Sequence, residues 1–158
     1  MKFYAYETTL GNGYLEADDD RVTAVLFPGS PPPGKIDPSP ADGEIAEALR
    51  FLEGYFRGEV NVDMPRLSRL LDTAGVEGFT RRVMEEVSRI PRGETRSYGE
   101  VAEAAGSPGA ARAVGNIMAS NPIPILVPCH RVVLASGRPG GFGDRPELKV
   151  WLLDLEGI

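Results

Sequence analysis

The 158-residue chain contains one cysteine, one histidine and one tryptophan. A single cysteine excludes an intramolecular disulfide, and one cysteine with one histidine cannot build a four-ligand zinc site of the usual kind. No metal is therefore expected. No run approaches the roughly 18 consecutive apolar residues of a membrane span, and the opening MKFYAYETTLGNGY lacks the apolar core of a signal peptide. These absences predict a cytoplasmic protein with no membrane partner. Cations are also scarce, with 17 Lys and Arg against 23 Asp and Glu for a net charge of −6. That balance at first argues against a nucleic-acid partner, because Lys and Arg supply phosphate binding. The distribution changes the reading. Residues 1–76 hold 7 cations against 13 anions, whereas residues 77–158 hold 10 against 10, nine of the ten cations being arginine.

What is present points to an α+β chain: a small N-terminal β-sheet domain with a helix, over residues 1–70, and a mainly helical C-terminal domain over 77–158. KFYAYETTLG, GYLEAD and RVTAVLF read as strands separated by Gly-Asn-Gly and by Asp18-Asp19-Asp20. PGSPPPGKIDPSPADG is too rich in Pro and Gly for a regular element. From Asp42, Ile45, Leu49, Leu52, Tyr55 and Phe56 recur at helical spacing. Residues 61–76 form the expected linker. Beyond it Phe79, Val83, Val87 and Ile90 make one apolar stripe. Ser97-Tyr98-Gly99-Glu100 has the form of a capping box and opens a short helix through Ala105. Gly106-Ser107-Pro108 then predicts a stop, an N-cap and a proline in the first helical position, with a second helix from about Gly109 to Ser120. Two short helices across a tight turn suggest a helix-turn-helix, with an ordinary helical hairpin as the alternative.

The second helix carries Ala110, Ala111, Ala113, Gly115 and Ala119, and Arg112 is its only charged residue. A helix that reads bases in the major groove needs long polar side chains, which this one lacks. A smooth face with one arginine suits the minor groove, with the cation entering the base stack. Close packing on another helix is the alternative.

After Asn121-Pro122 the chain runs Ile-Pro-Ile-Leu-Val-Pro to Cys129-His130-Arg131-Val132-Val133. The only cysteine and the only histidine therefore sit side by side in a rigid apolar segment. A thiolate is the nucleophile of cysteine chemistry, and it needs a base or a nearby cation to form near neutral pH. On an extended strand adjacent side chains point to opposite faces, so contact between the two requires a turn or a bridging water. A carboxylate could orient the imidazole, and several candidates are available. A buried, inert thiol beside a satisfied histidine is the alternative.

Val127-Pro128-Cys129-His130-Arg131-Val132-Val133, preceded by Arg112-Ala113-Val114-Gly115 and Asn121-Pro122, resembles the active-site signature of the O6-alkylguanine-DNA alkyltransferases. Lys149-x-Trp151-Leu152-Leu153-x-x-Glu156-Gly157 is similar to that family's C-terminal helix. The resemblance covers about residues 79–158. It implies a helix-turn-helix of the alkyltransferase type and a monomer that repairs double-stranded DNA by flipping out O6-alkylguanine, and it leaves open whether O4-alkylthymine is a further substrate. The alkyl group passes irreversibly to Cys129, once per molecule and without a cofactor. His130 would activate Cys129 through a water, Glu156 would orient His130, and Asn121 would hold the turn into the active-site segment. Arg112 would replace the extruded base, with Ala110, Ala111, Ala113, Gly115 and Ser97 on the DNA face. Tyr98 would rotate the phosphate and hydrogen-bond the purine. Val132, Phe142, Gly143 and Lys149 would form or support the substrate pocket.

The chain departs from the family pattern at Phe142, where members often carry tyrosine, and at Asp144 and Arg145, which replace a pair of glycines. The cysteines and histidines of the zinc site that some members carry near the N-terminus are absent. A cysteine hydrolase is disfavoured by the adjacency of Cys129 and His130, which in such enzymes normally come from distant segments, and two other readings stand beside it. One is an alkyltransferase-like protein that binds the lesion without accepting the group, which Cys129 disfavours. The other is a helix-turn-helix regulator with a sensing cysteine, which the alanine-rich second helix disfavours.

Overall fold

Alternating apolar and polar residues over the first 26 positions pair into an antiparallel sheet of three strands: β1 (Lys2–Thr8), β2 (Gly11–Asp18) and β3 (Arg21–Leu26), in the order β1-β2-β3. The computed structural model describes residues 1–60 and 62–158. Tyr4 lies opposite Leu15 and Tyr6 opposite Gly13, so the large side chains share one face. Gly13 is required there. A Cβ at that position would stand 2.1 Å from the Tyr6 ring, which crosses the sheet to donate its hydroxyl to the Leu26 carbonyl at 2.7 Å.

Helix α1 (Gly43–Phe56) covers this face with Ile45, Ala48, Leu52, Tyr55 and Phe56. Tyr6 and Phe56 stack with centroids 5.9 Å apart. Full burial of each such side chain stabilises the fold by about 1.5–3 kcal/mol. Both sheet edges are covered, which removes the unpaired strand edge that invites aggregation. The Asp37 N–H donates to the Phe3 carbonyl, and the Val22 and Val25 N–H groups donate to Glu44 Oε2 and to the Pro122 carbonyl, each at 2.8 Å.

The expected linker begins at Asn61, which lies outside the described residues. The rest of it is not all linker. Residues Leu67–Thr73 form α2, whose Leu70 and Leu71 are fully buried. Two apolar residues in tandem on one turn are enough to recruit a seven-residue helix into a core, although they show no extended periodicity. One compact unit comprises Met1–Gly75 together with Pro122–Leu126, and a second comprises Val76–Asn121 with Val127–Ile158.

In the second unit, α3 (Gly78–Ser88) buries Val83, Met84 and Val87. Helix α4 (Tyr98–Ala104) opens on a complete capping box: Ser97 Oγ accepts from the Glu100 N–H, and Glu100 Oε1 accepts from the Ser97 N–H, both at 3.0 Å. It ends with Gly106 at φ +88°, the Gly106 N–H bonding the Glu103 carbonyl and the Ser107 N–H the Ala102 carbonyl.

Helix α5 (Ala111–Ala119) starts two residues later than its sequence predicts, and Ser107 does not cap it. Pro108 and Gly109 instead occupy the centre of a turn closed by the Ala110 N–H on the Ser107 carbonyl at 3.1 Å, with Gly109 at φ +86°. Proline followed by a positive-φ glycine suits a type II turn, and a residue in that conformation cannot belong to a right-handed helix. Helix α6 (Pro146–Leu155) closes the unit with Leu148, Leu152 and Leu153 buried. Two-residue strands β4 (Arg96–Ser97) and β5 (Val132–Val133) pair in parallel, Arg96 with Val132 and Ser97 with Val133. Among the described residues no helix is long and apolar enough to cross a membrane.

Candidate active site

The segment leading to Cys129 is fixed by side-chain as well as backbone bonds. Asn121 donates its side-chain amide to the Val127 carbonyl at 3.0 Å. Beyond Pro128 the chain does not run extended. Cys129–Arg131 form one turn of 3-10 helix, with the Cys129 N–H on the Val127 carbonyl at 2.8 Å and the Arg131 N–H on the Pro128 carbonyl at 3.0 Å. Prolines at 124 and 128 remove two ladder donors and break the strand that this apolar run would otherwise make. The turn buries both Cys129 and His130.

Glu156, at the C-cap of α6, receives His130. The His130 Nε2 to Glu156 Oε2 distance is 2.6 Å, and both side chains are fully buried. The same carboxylate is gripped by Arg131, whose Nε donates to Oε1 at 2.9 Å and Nη2 to Oε2 at 3.2 Å, and it accepts the Gly93 N–H at 3.0 Å. Arg131 also donates Nη1 to the Ile90 carbonyl at 2.8 Å. Burial of a carboxylate is tolerated when its oxygens are compensated in this way. Burial pulls the His130 pKa below its usual value, against the raising effect of Glu156 and with a lowering effect from Arg131 and Lys149. The resting imidazole is therefore neutral near pH 7. With Nε2 donating its hydrogen to Glu156, Nδ1 is left as the basic nitrogen.

Burial pushes the Cys129 thiol up, so it rests protonated, and a hydrogen bond from Asn121 and the charge of Lys149 pull it back down. Lys149 is itself 1% exposed. Its ammonium donates to the Val132 carbonyl at 2.7 Å, the Tyr98 hydroxyl at 3.3 Å and the Gly141 carbonyl at 3.4 Å. It also lies 5.5 Å from the Tyr98 ring centroid and 5.8 Å from that of Phe142. Burial lowers its pKa to about 8, while the cysteine opposes that shift. Burial and the Cys129 charge hold the Tyr98 hydroxyl above its ordinary range.

Tyr98, Val132, Phe142 and Lys149 are thus brought together by direct contacts. Gly115 joins them from α5: a Cβ there would meet the Tyr98 ring at 3.9 Å. The small residues of α5 are only partly covered by packing. Arg112 and Ala113 are exposed and Ala110, Ala111 and Gly115 half-buried, while Val114 and Met118 hold the helix to the core. Ser97 is half-buried at the end of β4, and Gly143 is exposed in the loop before α6.

The geometry can be set beside known proteins. Residues 78–158 match the family model described as 6-O-methylguanine DNA methyltransferase, DNA binding domain. The chain is 48% identical over 124 residues to a methylated-DNA–protein-cysteine methyltransferase of Mycobacterium leprae, covering 78% of this chain and 72% of that one. It is 37% identical over 159 residues to one from Methanosarcina acetivorans, covering 99% of each. This chain belongs to the methylated-DNA–protein-cysteine methyltransferase family. Its fold is also that of a crystal structure titled Mycobacterium tuberculosis OGT in complex with DNA, with a TM-score of 0.76, 35% identity and coverage of 99% of this chain and 92% of that one.

Within this methyltransferase-family chain, two half-buried neighbours of the buried groups, Arg131 and Gly140, carry no sequence signal of their partners. Arg131 stands inside the signature and was legible as a residue, but nothing in its spacing pairs it with Glu156, 25 positions away. Gly140, at φ +79°, abuts Tyr98, and a Cβ there would lie 3.2 Å from the hydroxyl. Its only sequence signal is a glycine pair in a loop.

Proposed function

We propose that this protein repairs double-stranded DNA by taking an alkyl group from O6-alkylguanine onto Cys129, in a single irreversible turnover. The observation that carries the reading is the only thiol of the chain, buried in one turn with a neutral histidine that is fixed by a buried carboxylate. In the reaction His130 Nδ1 takes the Cys129 proton through a bridging water, and Glu156 stabilises the imidazolium that forms. The sulfur then attacks the alkyl carbon in line, the carbon–O6 bond breaks, and its electron pair passes into the purine. A proton gained by the purine balances the one lost by the thiol. The Tyr98 hydroxyl donates a hydrogen bond to the purine as O6 leaves, and the Lys149 charge favours the thiolate. The Val132 carbonyl and the Phe142–Gly143 loop contact the flipped base. The thioether product is too stable to reverse.

Recognition follows from α5. Its small residues Ala110, Ala111, Ala113 and Gly115 admit the minor groove, Ser97 meets the backbone, Asn121 holds the turn, and Arg112 fills the place of the extruded base. Extrusion costs a few kcal/mol, less for a base that pairs poorly. We assign both tasks to residues 77–158 of a monomer, since every group invoked lies there. The test is intact-mass spectrometry after incubation with a duplex carrying O6-methylguanine. The expected result is a gain of one methylene, one per protein, that is absent from Cys129→Ala. Binding to the lesion with no gain in mass would leave a recognition protein without transfer.

A further inference from the structure

The arginines of the second unit are mostly committed to carboxylates: Arg81 to Glu85, Arg96 to Glu86 and Arg131 to Glu156. Arg82 is different. It is exposed and forms no ion pair among the described residues, yet it is held at two points. Its Nε donates to the Ala105 carbonyl at 3.0 Å, and its guanidinium carbon lies 5.6 Å from the centroid of the Phe79 ring. Neither contact uses the two terminal amino groups, which make no hydrogen bond within the described protein. A fixed guanidinium with both Nη groups available presents the fork that a phosphodiester accepts. Much of the rotamer freedom that a long side chain loses on binding is already gone.

Ala105 is the C-cap of α4, and the chain passes from it through Gly106–Gly109 directly to Ala110, the N-cap of α5. Resting on the reading that the start of α5 enters the minor groove, one sugar–phosphate strand must run beside the segment that delivers it. We infer that Arg82 is a DNA-backbone contact, a phosphate clamp anchored on the end of α4 by Ala105 and Phe79. It positions the duplex and takes no part in the chemistry at Cys129.

The test measures binding of the full-length protein to an unmodified labelled duplex, which the reaction does not consume, by anisotropy between 50 and 300 mM salt. Loss of one phosphate contact lowers the slope of log K against log salt by about 0.9, equivalent to about eightfold weaker binding at 0.1 M. Arg82→Gln keeps a donor for Ala105 and removes the charge, so it shows that loss. Arg82→Lys keeps the charge and retains the wild-type slope. Transfer from free O6-methylguanine base, which has no phosphate, proceeds at the wild-type rate in both variants. Equal slopes for wild type and Arg82→Gln overturn the inference, as does a parallel fall in the free-base rate, which marks a purely structural cap. Failure of wild type to gain mass from a lesion duplex overturns the repair reading itself, and is seen before any Arg82 variant is made.

Discussion

At the scale of single residues the proposed site holds one carboxylate shared by a histidine and an arginine. Replacing Glu156 with glutamine keeps the shape but removes the charge that fixes His130 and neutralises Arg131. The single-turnover transfer rate is expected to fall by about 10²-fold, the lower range for loss of acid–base assistance. Stability is expected to fall by about 3 kcal/mol, because a partly buried arginine loses its partner. A rate within threefold of wild type in a quench-flow assay would show that His130 needs no carboxylate. Gly140 gives a second prediction. Alanine there must adopt φ +79° and place its Cβ 3.2 Å from the Tyr98 hydroxyl, whereas alanine at Gly141 meets nothing within 4 Å. Gly140→Ala should cost about 1–2 kcal/mol and slow transfer, with Gly141→Ala near wild type in both. Equal behaviour of the pair would dissociate Tyr98 from this loop. Cys129 and His130 were legible in the sequence because the chain has no other candidates for their chemistry. Arg131 and Gly140 were not, because what they do is set by partners 25 and 42 positions away.

At the scale of elements, the turn between α4 and α5 decides where the second helix points. It is built from two left-handed glycines, Gly106 closing α4 and Gly109 in the turn that follows. Substituting either with alanine places a Cβ in a conformation costing about 1–2 kcal/mol. The melting temperature should fall in both, and affinity for lesion-bearing duplex should fall with it, while reaction with the free modified base changes little. Equal losses in both activities would show that the turn supports the whole unit and not α5 alone. The capping box at Ser97 was legible because its two members are three positions apart, within one local pattern. The start of α5 was misplaced because proline suits both the first helical position and the second position of a type II turn, and Gly109 decides between them. Strands β4 and β5 were invisible for a simpler reason: two residues cannot display a period, and their pairing joins positions 36 apart.

For the whole molecule, the sequence exposed the change from strands to helices but not the paths that cross it. Helix α2 lay hidden in a segment without long periodicity, and residues 122–126 return to the first unit because the Pro122 carbonyl completes the edge of β3. Stability as a function of pH reports on a burial that composition could not reveal. Lys149 titrates at about 8 in the folded protein against 10.5 unperturbed, since burial penalises its charge. Between those values the unfolded chain holds a proton that the folded one has released. The free energy of unfolding therefore gains a contribution that rises with pH, by at most about 1.4 kcal/mol per unit, and is complete near the unfolded value. The Tyr98 hydroxyl, held above its ordinary range, acts in the opposite sense, stabilising less as pH passes upward through its titration. Urea unfolding at pH 7.5, 9 and 10 of wild type and Lys149→Met reports the lysine together with its coupling to Cys129, since groups that do not sense Lys149 titrate alike in both. Wild type should gain on the variant across that range, and parallel curves would mean that Lys149 keeps its proton in the folded state.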